Sequence, residues 1–382
     1  MNRLPDNFDE YEEAKREGFL KVKEFRDKGV KVVGTFCTYT PLEIIDAAGA
    51  VPVSLCGTDN SSVADAEMHL PQNLCPLIKS SYGYAITDKC PYFYFSDLIV
   101  GETTCDGKKK MYEILNNVKQ THVMHLPQGQ NKEHAFEYWK KELLILIDVL
   151  EEKFNVKITE DKLREAIKER NEERKVLVDF YELGKLNPSP ISGYEINTVM
   201  EAMGFEFDKK KMRQDITKRT EELKEKYEKE FKGKKSNRPR IVITGCPSNG
   251  VREKVLKQIE DLGADIVCFE NCSGPKEKME LVNETIDPID ALAQKYLNVN
   301  CSVMTPNPGR LDVLGEMIDD YEADGVIEII LQACHTFNVE SYNVKNLVTK
   351  EKGLPYICIE TDYSEFDTGQ LNTRLNAFLE ML

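Results

Sequence analysis

Eleven cysteines are the residues of this chain with the clearest capacity for chemistry. Five of them follow a predicted β-strand: Cys37, Cys105, Cys246, Cys272 and Cys334. In open α/β sheets the carboxyl ends of the strands form the crevice in which ligands bind. Thiolates gathered there would make a soft-ligand metal site, which suits an iron–sulfur cluster, zinc or Cu(I). Because the cysteines are far apart in the chain, only a folded protein could bring them together.

Strand and helix signals alternate in the first and the last parts of the chain, and these elements must position the thiols. We predict strands at 31–36, 51–55, 96–100, 121–126, 240–244, 265–269, 301–304, 326–331 and 356–360. A helix is predicted to open at Thr40-Pro41, with Thr40 as the N-cap and Pro41 at the first helical position. The alternation predicts two α/β lobes.

Long charged helices are predicted between the two lobes, from about 132 to 231. One apolar stripe at helical spacing indicates core packing between the lobes, and its members are Phe136, Trp139, Leu143, Leu146, Leu150 and Phe154. The composition of 232–239 is that of a linker. We therefore predict an N-terminal α/β lobe at 1–131, a helical section with linker at 132–235 and a C-terminal α/β lobe at 236–382.

Composition excludes several classes of protein. The 382 residues are enough for two domains, and 41% of them are hydrophobic. The 51 basic and 66 acidic side chains give a net charge of −15 with no sustained basic tract, which disfavours a nucleic-acid binder. No apolar run has the length of a membrane span, and 1–6 lack the core of a signal peptide, so a cytoplasmic protein is expected. An odd number of cysteines in that reducing compartment is not a disulfide framework.

The local contexts of the cysteines separate them further. No Cys-x-x-Cys pair occurs, which weighs against zinc ribbons, thioredoxin-like chemistry and ferredoxin loops. Cys75 and Cys246 each precede a proline, as at a helix start, where free N–H groups and the helix dipole stabilise a thiolate. Cys56 and Cys90 occupy loop-like positions and are doubtful ligands. The cysteines interpreted as structural are Cys268, Cys301 and Cys358.

Other candidate features carry less weight. His335, beside Cys334, is either a proton donor or a hydrogen-bonded structural residue, and the sequence does not decide between these roles. The basic run 108–110 could meet an acidic ligand such as a phosphorylated cofactor, although a solvated helix start is favoured. Neither 47–50 nor 245–250 is a GxGxxG or Walker motif, so we expect no nucleotide-triphosphate site in this chain.

Several stretches taken together resemble the D-component family of 2-hydroxyacyl-CoA dehydratases, which includes 2-hydroxyglutaryl-CoA dehydratase and benzoyl-CoA reductase subunits. The matching stretches are 34–43, 74–76, 104–109, 270–274, 359–363 and 369–374. The resemblance implies two flavodoxin-like lobes with parallel sheets and a cluster at the lobe interface. In that family three cysteines bind a [4Fe–4S] cluster, and the matching residues here are Cys75, Cys105 and Cys334.

Three further thiols make the chain similar to the double-cubane branch of the family: Cys37, Cys246 and Cys272. That likeness implies an [8Fe–9S] cluster, a homodimer and electrons from a separate ATP-hydrolysing iron–sulfur reductase, which fits the missing phosphate loop. Three functions follow as hypotheses. The chain is a double-cubane reductase of a small-molecule substrate, a 2-hydroxyacyl-CoA dehydratase subunit with one [4Fe–4S] cluster, or a non-catalytic iron–sulfur electron carrier.

Overall fold

The computed structural model describes residues 4, 5 and 8–382 of the chain. Eight strands are present in this part: β1 (Lys31–Thr35), β2 (Ala50–Ser54), β3 (Leu98–Glu102), β4 (Thr121–Met124), β5 (Arg240–Gly245), β6 (Asp265–Glu270), β7 (Gly325–Leu331) and β8 (Tyr356–Thr361). They form two four-stranded sheets, with the orders β2-β1-β3-β4 and β6-β5-β7-β8. All strand pairs are parallel. These orders match the start of the flavodoxin-like order, so the predicted α/β fold with two parallel-sheet lobes is confirmed.

Helices flank the strands and fill the middle of the chain. They are α1 (Phe8–Asp27), α2 (Leu42–Ala47), α3 (Val63–Ala66), α4 (Pro76–Ile86), α5 (Pro91–Phe95), α6 (Asp106–Leu115), α7 (Ala135–Phe154), α8 (Glu160–Tyr181), α9 (Gly193–Ala202), α10 (Lys209–Lys226), α11 (Gln258–Asp261), α12 (Pro288–Leu297), α13 (Pro308–Asp320), α14 (His335–Asn346) and α15 (Thr368–Leu379). Short 3₁₀ or π segments lie at Glu182–Lys185, Met203–Phe205, Tyr227–Phe231, Asn249–Val251, Arg252–Lys257 and Leu347–Glu351. Within the described residues, no helix is long and apolar enough to cross a bilayer.

The chain forms two compact units, and neither is continuous in sequence. The first sheet belongs to a unit made of 16–174 and 277–307, and the second sheet to a unit made of 1–15, 175–276 and 308–382. The sections predicted at 1–131, 132–235 and 236–382 follow chain order instead, and they stay a prediction.

Buried side chains of α7 form the core of the unit with the first sheet. Trp139, Leu143, Leu146 and Leu150 are fully buried there. The apolar stripe is therefore buried as predicted, whereas its packing between the lobes stays a prediction. They share this core with residues of 277–307, including Tyr296 of α12. Burial of such side chains is the main stabilising term for a unit of this size.

The strand predicted at 301–304 is wrong, because these residues form turns. The backbone N–H of Met304 donates to the carbonyl of Cys301 (3.0 Å) within one such turn. Cys301, Val303 and Met304 pack on the core of the unit with the first sheet. The apolar run therefore reflects a turn that covers a core, and not an additional strand.

Candidate metal centre

In the first sheet, two predicted ligands lie at neighbouring strand ends. Cys37 follows β1 and Cys105 follows β3. The two strands pair directly, with Thr35 opposite Val100. Because β2 and β4 lie on opposite sides of this pair, the carboxyl ends of β1 and β3 form the switch point at which such folds bind ligands. Cys37 and Cys105 are thus on the loops that border this crevice.

The second sheet has the same arrangement. Cys246 directly follows β5, and Cys334 follows β7. These strands also pair directly, with Gly245 opposite Ile329. Their sheet order, with β6 and β8 on either side, makes the ends of β5 and β7 the switch point of this unit.

Three predicted ligands are the N-cap residues of helices. Cys75 caps α4, Cys105 caps α6 and Cys334 caps α14, which have 11, 10 and 12 residues. The Cys105 Sγ accepts a hydrogen bond from the backbone N–H of Lys108 (3.3 Å). The first N–H groups of a helix lack intrahelical partners, and with the helix dipole they stabilise a thiolate. The helix start predicted at Cys75-Pro76 is therefore confirmed.

A glycine allows two of these helix starts to approach each other. Gly107 is the second residue of α6, and a Cβ at this position would lie 2.7 Å from Cδ1 of Ile78 and 3.2 Å from Cδ1 of Leu74. Ile78 lies in the first turn of α4 and Leu74 precedes its N-cap, Cys75. The missing side chain thus lets α6 pack against the beginning of α4, which carries Cys75.

Lys108 contacts two of the predicted ligands. Its ammonium donates to the Sγ of Cys37 at 2.7 Å, while its backbone N–H donates to Cys105. Lys108 is only 5% exposed, and its Nζ lies 5.5 Å from the centroid of the Phe36 ring. The sequence favoured a solvated helix start for 108–110. The structure shows this to be wrong for Lys108, because its side chain turns inward to the sulfur.

The Cys37 thiol lies in a strained and half-buried setting. Its backbone φ is 60°, a left-handed conformation that non-glycine residues seldom adopt. The Sγ also lies 3.4 Å from the hydroxyl oxygen of Thr104. Burial raises the pKa of the Cys37 thiol, the nearby ammonium of Lys108 opposes this, and the charge of Cys56 adds to the rise. Cys56 is therefore close enough to act on Cys37, although its sequence context left it doubtful.

Glu102 is a buried carboxyl that the sequence analysis did not single out. It is the last residue of β3 and is fully buried. Its Oε1 accepts from the backbone N–H (2.6 Å) and the hydroxyl (2.5 Å) of Thr40, while no described residue is a hydrogen-bond partner of its buried Oε2. Burial raises the pKa of Glu102 to about 7. A charged residue at the end of an apolar strand was the available signal.

The Thr40 hydroxyl donates a hydrogen bond to Glu102, and Thr40 does not cap α2. Pro41 is the N-cap of that helix instead of its first residue. The predicted cap at Thr40 is therefore wrong by one position, because the carboxyl of Glu102 competes for the same hydroxyl and backbone N–H.

Cys246 is 1% exposed, and its Sγ accepts from the backbone N–H of Leu331 at 3.3 Å. Its carbonyl accepts from the side-chain amide of Asn271 (3.1 Å), beside Cys272. The preceding Gly245 has a φ of 99°, and a Cβ there would lie 2.2 Å from the carbonyl oxygen of Ile329. A helix does not begin directly at Cys246, in contrast with the prediction, because a 3₁₀ turn follows from Asn249.

The remaining cysteines and His335 have varied settings. Cys272 is exposed and lies on the loop after β6, whereas Cys90 is the N-cap of the short helix α5. Cys268 and Cys358 lie within strands, as expected for structural thiols. His335 is exposed and is the first residue of α14. Its role as a proton donor stays a prediction.

Arg310 joins the elements that carry the thiols of the second sheet. It is fully buried and donates from Nε to Glu270 of β6 (3.1 Å) and from Nη1 to Glu340 of α14 (2.5 Å). Its Nη2 donates to the hydroxyl of Thr244 in β5 (3.0 Å). One guanidinium thus joins three elements. Two of them, β5 and β6, precede Cys246 and Cys272, and the third, α14, follows Cys334.

The donor chemistry of these sites suits a thiolate-bound metal group. All eleven cysteines lie in the described part of the chain, and no disulfide joins any of them. Helix N-termini and a buried ammonium supply hydrogen bonds and positive charge to several sulfurs. In residues 4, 5 and 8–382, however, no three His, Cys, Asp or Glu side chains are already arranged around one point as metal ligands.

Comparison with known proteins gives a consistent result over nearly the whole chain. The family model for the 2-hydroxyglutaryl-CoA dehydratase D-component matches residues 37–382. The "Putative dehydratase subunit YjiM" of Escherichia coli (strain K12) is 50% identical over 380 residues, which cover 99% of this chain and 98% of that protein. The (R)-phenyllactyl-CoA dehydratase beta subunit of Clostridium sporogenes is 28% identical over 94% of each chain. The lactoyl-CoA dehydratase beta subunit of Anaerotignum propionicum is 24% identical over 93% of each chain. The chain therefore belongs to the 2-hydroxyglutaryl-CoA dehydratase D-component family.

Proposed function

We propose that this chain is an iron–sulfur reductase subunit that carries a double-cubane [8Fe–9S] cluster. It would receive low-potential electrons from a separate ATP-dependent reductase and pass them to a small-molecule substrate. The observation that carries the proposal is the placement of six thiols after strand ends or at helix N-caps of two parallel sheets: Cys37, Cys75, Cys105, Cys246, Cys272 and Cys334.

The surroundings of these thiols support iron–sulfur ligation. When bound, the cluster would supply single-electron transfer at a low potential. The helix N-termini at Cys75, Cys105 and Cys334 would stabilise negative charge on the sulfurs. The buried positions of Cys75 and Cys246 would keep water from two of the ligands.

We assign ATP hydrolysis to a partner protein. Neither of the glycine-containing loops at 47–50 and 245–250 has the pattern of a phosphate-binding loop. A separate ATP-hydrolysing iron–sulfur reductase would then drive the electrons onto this chain, which we propose acts as a homodimer. His335, exposed at the start of α14, is the residue proposed to deliver protons.

Metal analysis of the anaerobically purified protein tests the cluster directly. We expect about eight irons per chain together with inorganic sulfide, and an electron paramagnetic resonance signal after reduction. About four irons would refute the double cubane and leave a single [4Fe–4S] cluster. Zinc without iron would refute every iron–sulfur function.

A pair of cysteine variants tests the second cubane. Cys246→Ser should lower the iron content towards half, because a hydroxyl is a poor substitute for a thiolate ligand. Cys358→Ser is the matched control, since that thiol lies within β8, and it should leave the iron content unchanged. Equal iron content in both variants would remove Cys246 from the ligand set.

A 2-hydroxyacyl-CoA dehydratase subunit with one [4Fe–4S] cluster is the second candidate. It is favoured by the dehydratase subunits among the relatives, such as the phenyllactyl-CoA enzyme. Turnover of 2-hydroxyacyl-CoA esters that requires ATP, an activator and a second, different subunit would support it. If neither this nor any other substrate is turned over with an ATP-hydrolysing partner, the chain is a non-catalytic electron carrier.

A further inference from the structure

We infer that Lys108 is a positioning residue that places a fixed positive charge on the Cys37 sulfur and thereby raises the reduction potential of the bound cluster. This inference rests on the proposed iron–sulfur function. The Lys108 Nζ lies 2.7 Å from the Cys37 Sγ, which is short for a nitrogen–sulfur hydrogen bond, and the donor is charged.

Lys108 is shielded from solvent, and so its charge is only weakly screened. Its side chain is 5% exposed, and the ring of Phe36 lies beside the ammonium. Water and salt screen buried charges far less than surface charges. The electrostatic interaction of this ammonium with the nearby sulfurs is therefore little weakened by solvent.

The backbone of the same residue serves a different sulfur. The N–H of Lys108 donates to Cys105 Sγ at 3.3 Å, and this bond does not depend on the side chain. A side-chain substitution at Lys108 therefore removes the charge beside Cys37 and leaves the cap of Cys105 in place. The two contributions can be separated by mutation.

The direction of the effect follows from charge balance. One-electron reduction adds a negative charge to a cluster and its thiolates. A buried positive charge stabilises that reduced state more than the oxidised state, and so its removal makes reduction harder. The sulfur also loses a hydrogen bond, which acts in the same direction.

The experiment compares the potentials of three anaerobically purified variants with that of the wild type by reductive titration, with the spin signal as the readout. Lys108→Met keeps the length of the side chain and removes its charge. We expect at least a tenfold change in the ratio of oxidised to reduced cluster at a fixed potential, which is 59 mV in the negative direction for one electron. Lys108→Arg keeps the charge and should stay within threefold of the wild type.

Lys109→Met is the matched control. Lys109 is the next residue, is 48% exposed and pairs with Asp106. Its charge is screened by water, so its removal should change the ratio by less than threefold. A purely structural role of Lys108 would alter stability and would not move the potential.

The outcomes separate the two proposals. A wild-type protein without iron refutes the proposed function, whereas a loaded protein whose potential is the same with Lys108→Met refutes the role of Lys108 alone. If Lys108→Met loses the cluster, the potential of Lys108→Arg decides. A potential near that of the wild type supports the role of the fixed charge. A tenfold change in the ratio of oxidised to reduced cluster, which is a shift of 59 mV in the negative direction, overturns that role.

Discussion

Replacement of Gly107 by alanine should crowd the contact between the two helix starts that carry Cys75 and Cys105. The added Cβ would lie 2.7 Å from Cδ1 of Ile78, a distance that real Cβ atoms essentially never show, and 3.2 Å from Cδ1 of Leu74. Ile78 is 3% exposed, so its side chain has little free space into which to move. The substitution therefore forces α4 and α6 apart or moves a buried side chain off its rotamer.

The size of the effect is the balance of two terms. Overpacking of a buried contact costs about 1–3 kcal/mol. Alanine is favoured over glycine in a helix by about 1 kcal/mol. The free energy of unfolding of Gly107→Ala should therefore fall by up to about 2 kcal/mol.

Gly369 provides a matched control, because it too is the second residue of a helix, α15. A Cβ at this position would meet no atom within 4 Å. Gly369→Ala should therefore gain up to about 1 kcal/mol in the free energy of unfolding. Urea unfolding of the two full-length variants measures the difference, which should be about 1–3 kcal/mol.

A double-mutant cycle identifies the contact responsible. Ile78→Val deletes Cδ1 and should cost about 0.5–1.5 kcal/mol by itself. In the background of Gly107→Ala the same deletion relieves the clash, so the coupling should be favourable by about 0.5 kcal/mol or more. Stabilisation of Gly107→Ala equal to that of Gly369→Ala, with no coupling to Ile78, would refute the close approach of the two helix starts.

Four other substitutions test buried contacts by urea unfolding. Arg310→Met should lower the free energy of unfolding by about 3–5 kcal/mol at pH 7, and by less at pH 4, because the buried Glu270 carboxylate loses its partner; a loss under about 1 kcal/mol would contradict this. The raised pKa of Glu102 means that the folded state binds a proton more tightly than the unfolded state. The free energy of unfolding should therefore fall by about 3 kcal/mol as the pH rises from about 4.5 to 7. Glu102→Gln should abolish that part of the pH dependence, and an unchanged slope would be evidence against the assignment. Leu146→Ala, at a fully buried position, should cost about 2–5 kcal/mol. Leu144→Ala, 44% exposed on the same helix, should cost less than about 0.5 kcal/mol, and similar losses would argue against the core assigned to α7.

Local patterns predicted most of the fold. Eight of the nine predicted strands are present, because runs of β-branched and apolar residues report the buried strands of parallel sheets directly. The helix start at Cys75-Pro76 was also predictable, since proline at the first helical position is a local preference. The turns at 301–304 were not, because the same apolar residues pack on a core without a neighbouring strand.

The surroundings of the thiols could be predicted only in part. The strand-end positions of Cys37 and Cys105 follow from the chain order of elements. The contact of Lys108 with Cys37 joins residues 71 positions apart and depends on the pairing of β1 with β3. Likewise, the carboxyl of Glu102 reaches Thr40 across two strand ends and displaces the local cap. Such contacts depend on tertiary structure and leave no local pattern.

The discontinuity of the unit with the first sheet affects how this protein can be made and divided. Tyr296, from the returning segment 277–307, donates to Glu43 (2.8 Å) and accepts from Arg174 (3.0 Å), and it lies in the same core as Trp139. A ribosome that has synthesised only residues 1–276 has therefore not yet supplied part of this core. The unit can complete its packing only late in translation, and a fragment that ends at residue 174 would expose apolar surface to aggregation. To study the unit with the first sheet alone, residues 16–174 must be joined to 277–307 through a new linker.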